Sequence, residues 1–145
     1  MKVTALCDGA CRRANPGDAS IGVSMYSEGK NVLRMAKRIG IKTSNEAEYA
    51  SVIHCMERAI TLGYDEIEIT MDSQLAVYQI SGQWKIKNPR MRKLCEKINE
   101  LKRHFKSFNI QWKSRDNLQE VDDLANQALD LDMEMLKADW LKDGE

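Results

Sequence analysis

The chain has 145 residues, 43% hydrophobic and 30% charged, a composition that suits one folded domain with a single core and excludes a disordered polymer. Its 22 lysines and arginines are balanced by 22 aspartates and glutamates, so no global positive field marks it for nucleic acid, and any such contact must come from a local patch. No window reaches the roughly 18 apolar residues of a membrane span.

Lys2 to Cys7 reads as a first strand ending at Asp8-Gly9, and Ile21 to Tyr26 as a second; Ser27 to Lys30 then turns into a third, Asn31 to Ile39. From Asn45 the apolar positions recur at three- and four-residue steps, which predicts a helix of about five turns with Thr43 or Ser44 as its N-cap and Gly63 as its stop. Glu66 to Thr70 alternates as a fourth strand, and Met71-Asp72-Ser73 passes into a short helix ending near Gly82. Asn88-Pro89 opens another helix to about Phe105, Asn109 to Lys113 is a fifth strand, and Leu118 to Leu131 a last helix. The order βββαβααβα predicts an α/β fold, a mixed five-stranded sheet flanked by helices. A single domain is expected, with a core over 1–131 and a tail over 132–145 that could pack through Met135, Leu136, Trp140 and Leu141.

Charge is unevenly placed. Five basic residues fall within the nine from Lys85 to Lys93, and the last sixteen residues carry six acidic side chains against two lysines. The four cysteines, Cys7, Cys11, Cys55 and Cys95, include no C-x-x-C pair and have no histidine at zinc-ligand spacing, so reduced thiols and a cytoplasmic location are expected.

Four acidic residues stand out by position. Asp8 and Asp72 sit at the ends of apolar strands, where a charge costs desolvation unless something compensates it. Turn or helix capping is the bland explanation, but two such residues on neighbouring strands would repel unless a divalent cation joined them. Glu46 and Glu48 lie two residues apart, about 200° around the helix, so only one can face the sheet; the phase selects Glu48. In the last helix Asp122 shares a face with Ala125 and Leu129, whereas Asp123 aligns with Asn126, Gln127 and Asp130, so Asp122 points inward.

Taken together, Asp8-Gly9-Ala10, Asn15-Pro16-Gly17, Thr43 to Ala50, Asp72-Ser73-Gln74 and Asp122 to Asn126 resemble the type 1 ribonuclease H family over residues 2–130. The resemblance implies an endonuclease that cuts the RNA strand of an RNA–DNA hybrid, with Asp8, Glu48, Asp72 and Asp122 as catalytic, metal-binding residues. It further implies two Mg²⁺ roughly 4 Å apart, replaceable by Mn²⁺, and products with 5′-phosphate and 3′-hydroxyl ends. Hybrid contacts are implied at Gly9 and at Asn15, Asn45 and Gln74, which suit reading 2′-hydroxyls, with Thr43 in a pocket for a DNA-strand phosphate.

The chain departs from the family twice. The long basic insertion of many members is missing between Gly82 and Asn88, leaving Trp84, Lys85, Lys87 and Asn88 for DNA-strand contacts and predicting weaker hybrid binding. The loop before the last helix, Lys113 to Asn117, has no histidine, and Arg115 is the candidate to contact the scissile phosphate instead. The partner expected is a hybrid duplex, with no membrane and a monomeric chain. Two other readings stay open at this point: a hybrid-binding module without chemistry, and a DNA-directed nuclease of the same superfamily.

Overall fold

A computed structural model of the protein describes residues 1–129 and the backbone of 133–135. Three long antiparallel strands come first, β1 (Lys2–Arg12), β2 (Gly17–Ser27) and β3 (Lys30–Lys42). The β2–β3 hairpin closes on Glu28 and Gly29, at φ 52° and 77°, the positive-φ backbone that lets a two-residue turn match the strand twist. Then follow α1 (Ser44–Thr61), β4 (Glu66–Met71), α2 (Gln74–Ile80), α3 (Pro89–Lys102), β5 (Ser107–Trp112), α4 (Gln119–Gln127) and β6 (Met133–Met135). Both β4 and β5 run parallel to their neighbours, and the sheet order is β5-β4-β1-β2-β3-β6.

The five expected strands and four expected helices are all present in the expected order. A sixth, three-residue strand, β6, is added antiparallel to β3 at Arg34 to Ala36. The side-chain packing expected of the tail through Met135, Leu136, Trp140 and Leu141 lies outside the described residues. Helix α4 stops at Gln127, short of the expected Leu131, with Ala128 as its C-cap.

The largest difference concerns the first two strands. β1 continues past Cys7 to Arg12 because its pairing with β2 persists through Ala10↔Ser20 and Arg12↔Asp18, where apolar alternation has already ended. Asp8 is therefore inside β1 rather than at its end. What ends is the parallel neighbour: β1–β4 pairing stops at Leu6↔Thr70, so the next residues of β1 have one bare side.

Each face of the sheet is closed by different means. On one, Val3, Ala5, Cys7, Ile21, Val23 and Met25 pack with Tyr49, Val52, Cys55 and Met56 of α1, all buried. On the other, the middle of β2 offers Ser20, Gly22 and Ser24, and α4 lies directly on that small-residue stripe. A Cβ on Gly22 would stand 2.3 Å from the Val121 carbonyl oxygen, and the Ser20 hydroxyl donates to the Ala125 carbonyl. Covered on both faces, β2 is almost wholly buried, as central strands are. Among the described residues no helix is long and apolar enough to cross a membrane.

Candidate active site

The bare side of β1 beyond β4 is where carboxylates collect. Asp8 (β1), Glu48 (α1) and Asp72 (directly after β4) each offer an oxygen, and these atoms all lie within 4.8 Å of one another. The structure brings Glu48, the glutamate selected by helical phase, to Asp8 and Asp72. The Gly9 N–H, past the end of β4, donates to Glu48 Oε1 at 2.8 Å. Glu46 is occupied elsewhere: it closes a capping box with Thr43, whose N–H donates to Glu46 Oε1 at 2.9 Å while the Glu46 N–H donates to Thr43 Oγ1 at 3.1 Å. The T-x-x-E spacing of Thr43 to Glu46 is a legible sign of that box, and it decides Thr43 over Ser44 as the N-cap.

Asp122 reaches the same place from α4. Asp8 is paired with Gly22, the residue on which α4 rests, so the first turn of α4 passes close to Asp8, and the Asp122 carboxyl is near enough to raise the Asp8 pKa. Asp122 thus joins through Asp8 rather than as a member of the three-way group. Asp123 is exposed and accepts from Gln119 Nε2 at 2.8 Å. Helix α4 has no side-chain N-cap; Glu120 anchors it instead, accepting from Ser24 Oγ at 2.8 Å, Tyr26 Oη at 2.7 Å and Arg34 Nε at 3.0 Å. This anchor was missed in the sequence because its partners lie 86 to 96 positions away.

The electrostatics are those of gathered acidic groups, two of them largely buried. Asp8 is 4% exposed, and its pKa is pushed from 3.8 up to about 8, first by burial and then by the charges of Asp72 and Asp122, against a lowering contribution from the Gly9 N–H. Glu48 is raised well above its ordinary value, again by burial first and then by Asp8. Oxygen-only donors of this kind fit a hard divalent cation such as Mg²⁺ and do not suit zinc, which favours sulfur and nitrogen. A cationic side chain approaches: Arg115, in a short 3₁₀ turn (Arg115–Asn117), places Nε 3.5 Å from Asp72 Oδ2.

At the N-terminal end of α1, the helix that carries Glu48, lies a recess lined by Asn15, Thr43, Asn45, Glu46, Asn88 and Arg90. Asn15 accepts the Ser44 N–H at 3.0 Å, and Asn88 caps α3 by accepting the Arg90 N–H at 2.8 Å. A second recess shares Asn45 and Asn88 and adds Lys85 and Lys87. Gln74 and Trp84 are not among the lining residues of either. Gln74 is the exposed first residue of α2, and Trp84, 47% exposed, leans on Tyr78 with ring centroids 4.9 Å apart. Gly9 has a structural reason to be glycine, since a Cβ there would stand 2.3 Å from the Ala47 carbonyl carbon. Arg90 was not singled out by the sequence reading; its signal was Pro89 at the helix start, which puts residue 90 in the first turn, beside the cap.

Comparison with known proteins agrees with this geometry. The sequence model described as "Reverse transcriptase-like" matches residues 6–128. A bifunctional protein of Mycobacterium tuberculosis is 38% identical over 141 residues, which are 96% of this chain and 38% of that protein; the chain therefore spans well under half of that relative. The crystal structure of RNase H1 from Halobacterium salinarum superposes with a TM-score of 0.87 at 37% identity, covering 90% of this chain and 98% of that one. LC11-RNase H1, solved in complex with an RNA/DNA hybrid, superposes with a TM-score of 0.83 at 32% identity, covering 88% and 96%. On the strength of these matches and of the carboxylates at the end of β4, the chain belongs to the type 1 ribonuclease H family.

Proposed function

We propose that the protein is a metal-dependent endonuclease that hydrolyses the RNA strand of RNA–DNA hybrids. The observation that carries this reading is the convergence of Asp8, Glu48 and Asp72 from three separate segments, with ligand atoms within 4.8 Å. Asp122 completes the set beside Asp8. Two bound Mg²⁺, or Mn²⁺ in their place, would activate a water and neutralise charge at the scissile phosphate. Their positive charge would also favour the ionised forms of Asp8 and Glu48, whose pKa values are raised in the protein alone, and α1, β1 and α4 hold the carboxylates together.

The chain's own polar groups supply the selectivity. Asn15, Asn45 and Gln74 offer amide donors suited to 2′-hydroxyls in a wide minor groove. Asn15 commits its carbonyl to Ser44, which leaves its NH₂ to donate. Thr43, Asn88 and Arg90 line a recess that suits a DNA-strand phosphate, with Arg90 as its cation. Trp84, Lys85 and Lys87 extend the DNA-strand contacts across the short α2–α3 connection. A monomeric, cytoplasmic enzyme belongs to this reading; four free cysteines support a reducing compartment.

The deciding experiment offers RNA–DNA, RNA–RNA and DNA–DNA duplexes, labelled on each strand in turn, with Mg²⁺, Mn²⁺ or a chelator. Cleavage is expected only in the RNA strand of the hybrid and only with a divalent cation. Cutting in the chelator would overturn the metal mechanism, and cutting of DNA strands would move the protein to a DNA-directed class. Arg115 tests the missing histidine separately: Arg115→Ala should lower turnover by about 10-fold or more, and unchanged turnover would remove it from the mechanism.

A further inference from the structure

A carboxylate at a strand end is aimed by its backbone, and the backbone around Asp72 is held from one place. Two peptide planes flank its Cα, and because each plane is rigid, fixing both fixes the direction of the Cα–Cβ bond. The plane before it is held by the Lys113 N–H, which donates to the Met71 carbonyl at 2.9 Å. The plane after it is held by the indole of Trp112, whose Nε1–H donates to the Asp72 carbonyl at 3.1 Å. Three residues further along, Arg115 faces the carboxylate itself. Three contacts, on Asp72 and on the carbonyl that precedes it, thus come from the four residues 112–115.

Trp112 is otherwise oddly placed. It ends the edge strand β5, paired with Met71, and is 39% exposed, so packing alone does not account for a tryptophan there. The Asp72 carbonyl needs a donor because β4 has ended and the chain is turning into α2, whose first turn is capped by the Ser73 side chain. Lys113 donates through its backbone, which any residue at that position but proline could do. The Trp112 donor is a side chain and depends on the residue being tryptophan.

We propose that Trp112 is a positioning residue for Asp72: its indole N–H fixes the second peptide plane and so aims the carboxylate at Asp8 and Glu48. The inference rests on the reading of Asp72 as a metal ligand given above. It requires that losing the donor weaken cation binding even where the ring is kept.

Mn²⁺ binding to the full chain, without substrate, measured by calorimetry at a temperature where every variant is folded, tests this directly. Trp112→Phe keeps the ring and removes the donor, and its Mn²⁺ dissociation constant should rise about 2- to 10-fold, the range that one net hydrogen bond spans. The Mn²⁺ needed for half-maximal hybrid cleavage should rise with it, while turnover at saturating Mn²⁺ stays near wild type. An unchanged dissociation constant in Trp112→Phe, with only a lower melting temperature, would reduce Trp112 to a structural residue and overturn the inference. So would a pattern in which Trp112→Ala weakens Mn²⁺ binding but Trp112→Phe does not, since the ring would then be responsible. Failure of the wild-type chain to bind Mn²⁺ at all would overturn the metal reading itself, an outcome separate from either of these.

Discussion

Asp8→Asn should abolish hybrid cleavage, by at least about three orders of magnitude, and at the same time make the metal-free protein more stable. Both effects follow from one fact: the folded chain holds Asp8 in a place that disfavours its charge. Its pKa is about 8 in the fold against an ordinary 3.8, so the native state binds the proton more tightly than the unfolded chain does. The associated stability is fully present below about pH 4 and is lost as pH rises toward about 8. At pH 7 in a chelator, an asparagine avoids that loss and should gain on the order of 2–4 kcal/mol, or about 5–10 °C in melting temperature. Thermal melts from pH 4 to 9 in chelator would show a flatter profile for the variant than for wild type. Equal melting temperatures at pH 7 would mean that Asp8 is not under the stress assigned to it. Retained cleavage would remove it from the site.

Gly9→Ala is expected to damage stability and metal binding together. Its Cβ would stand 2.3 Å from the Ala47 carbonyl carbon and 2.5 Å from the Glu48 nitrogen. Both are backbone atoms, so no rotamer change relieves the clash and α1 must move off β1. That contact seats the first turn of α1 on β1, with Ala47 fully buried; overpacking there should cost about 3 kcal/mol. Moving α1 also carries Glu48 away from the Gly9 N–H and from Asp8. Urea unfolding and Mn²⁺ titration of the same preparation would read the two losses. Stability within about 1 kcal/mol of wild type would show that α1 can yield at this point without cost.

The carboxylates illustrate how far each kind of information reaches. Glu48 over Glu46 and Asp122 over Asp123 followed from helical phase, because side chains two positions or one position apart point to different sides of a helix. Strand and helix order followed from periodicity and from caps such as Asn88-Pro89, which act within a few residues of themselves. These signals are local, and the local reading was sufficient for them.

Other features depend on contacts that no local pattern encodes. Asp8 looked like a strand terminus because alternation stops there, yet β1 runs on to Arg12, and the opening beside Asp8 exists because β4 is the shorter strand. The Glu120 anchor, the Arg115–Asp72 approach, the Trp112 bond to the Asp72 carbonyl and the recess that brings Arg90 to Thr43 all join residues 40 or more positions apart. The sequence by itself determined which of the elements other than β6 form, in what order, and which acidic residues turn inward, since helical phase and strand alternation are set within each element. Only the tertiary structure decided where those elements end relative to one another and which groups hold each carboxylate in place, since strand pairing and helix seating are settled between distant segments.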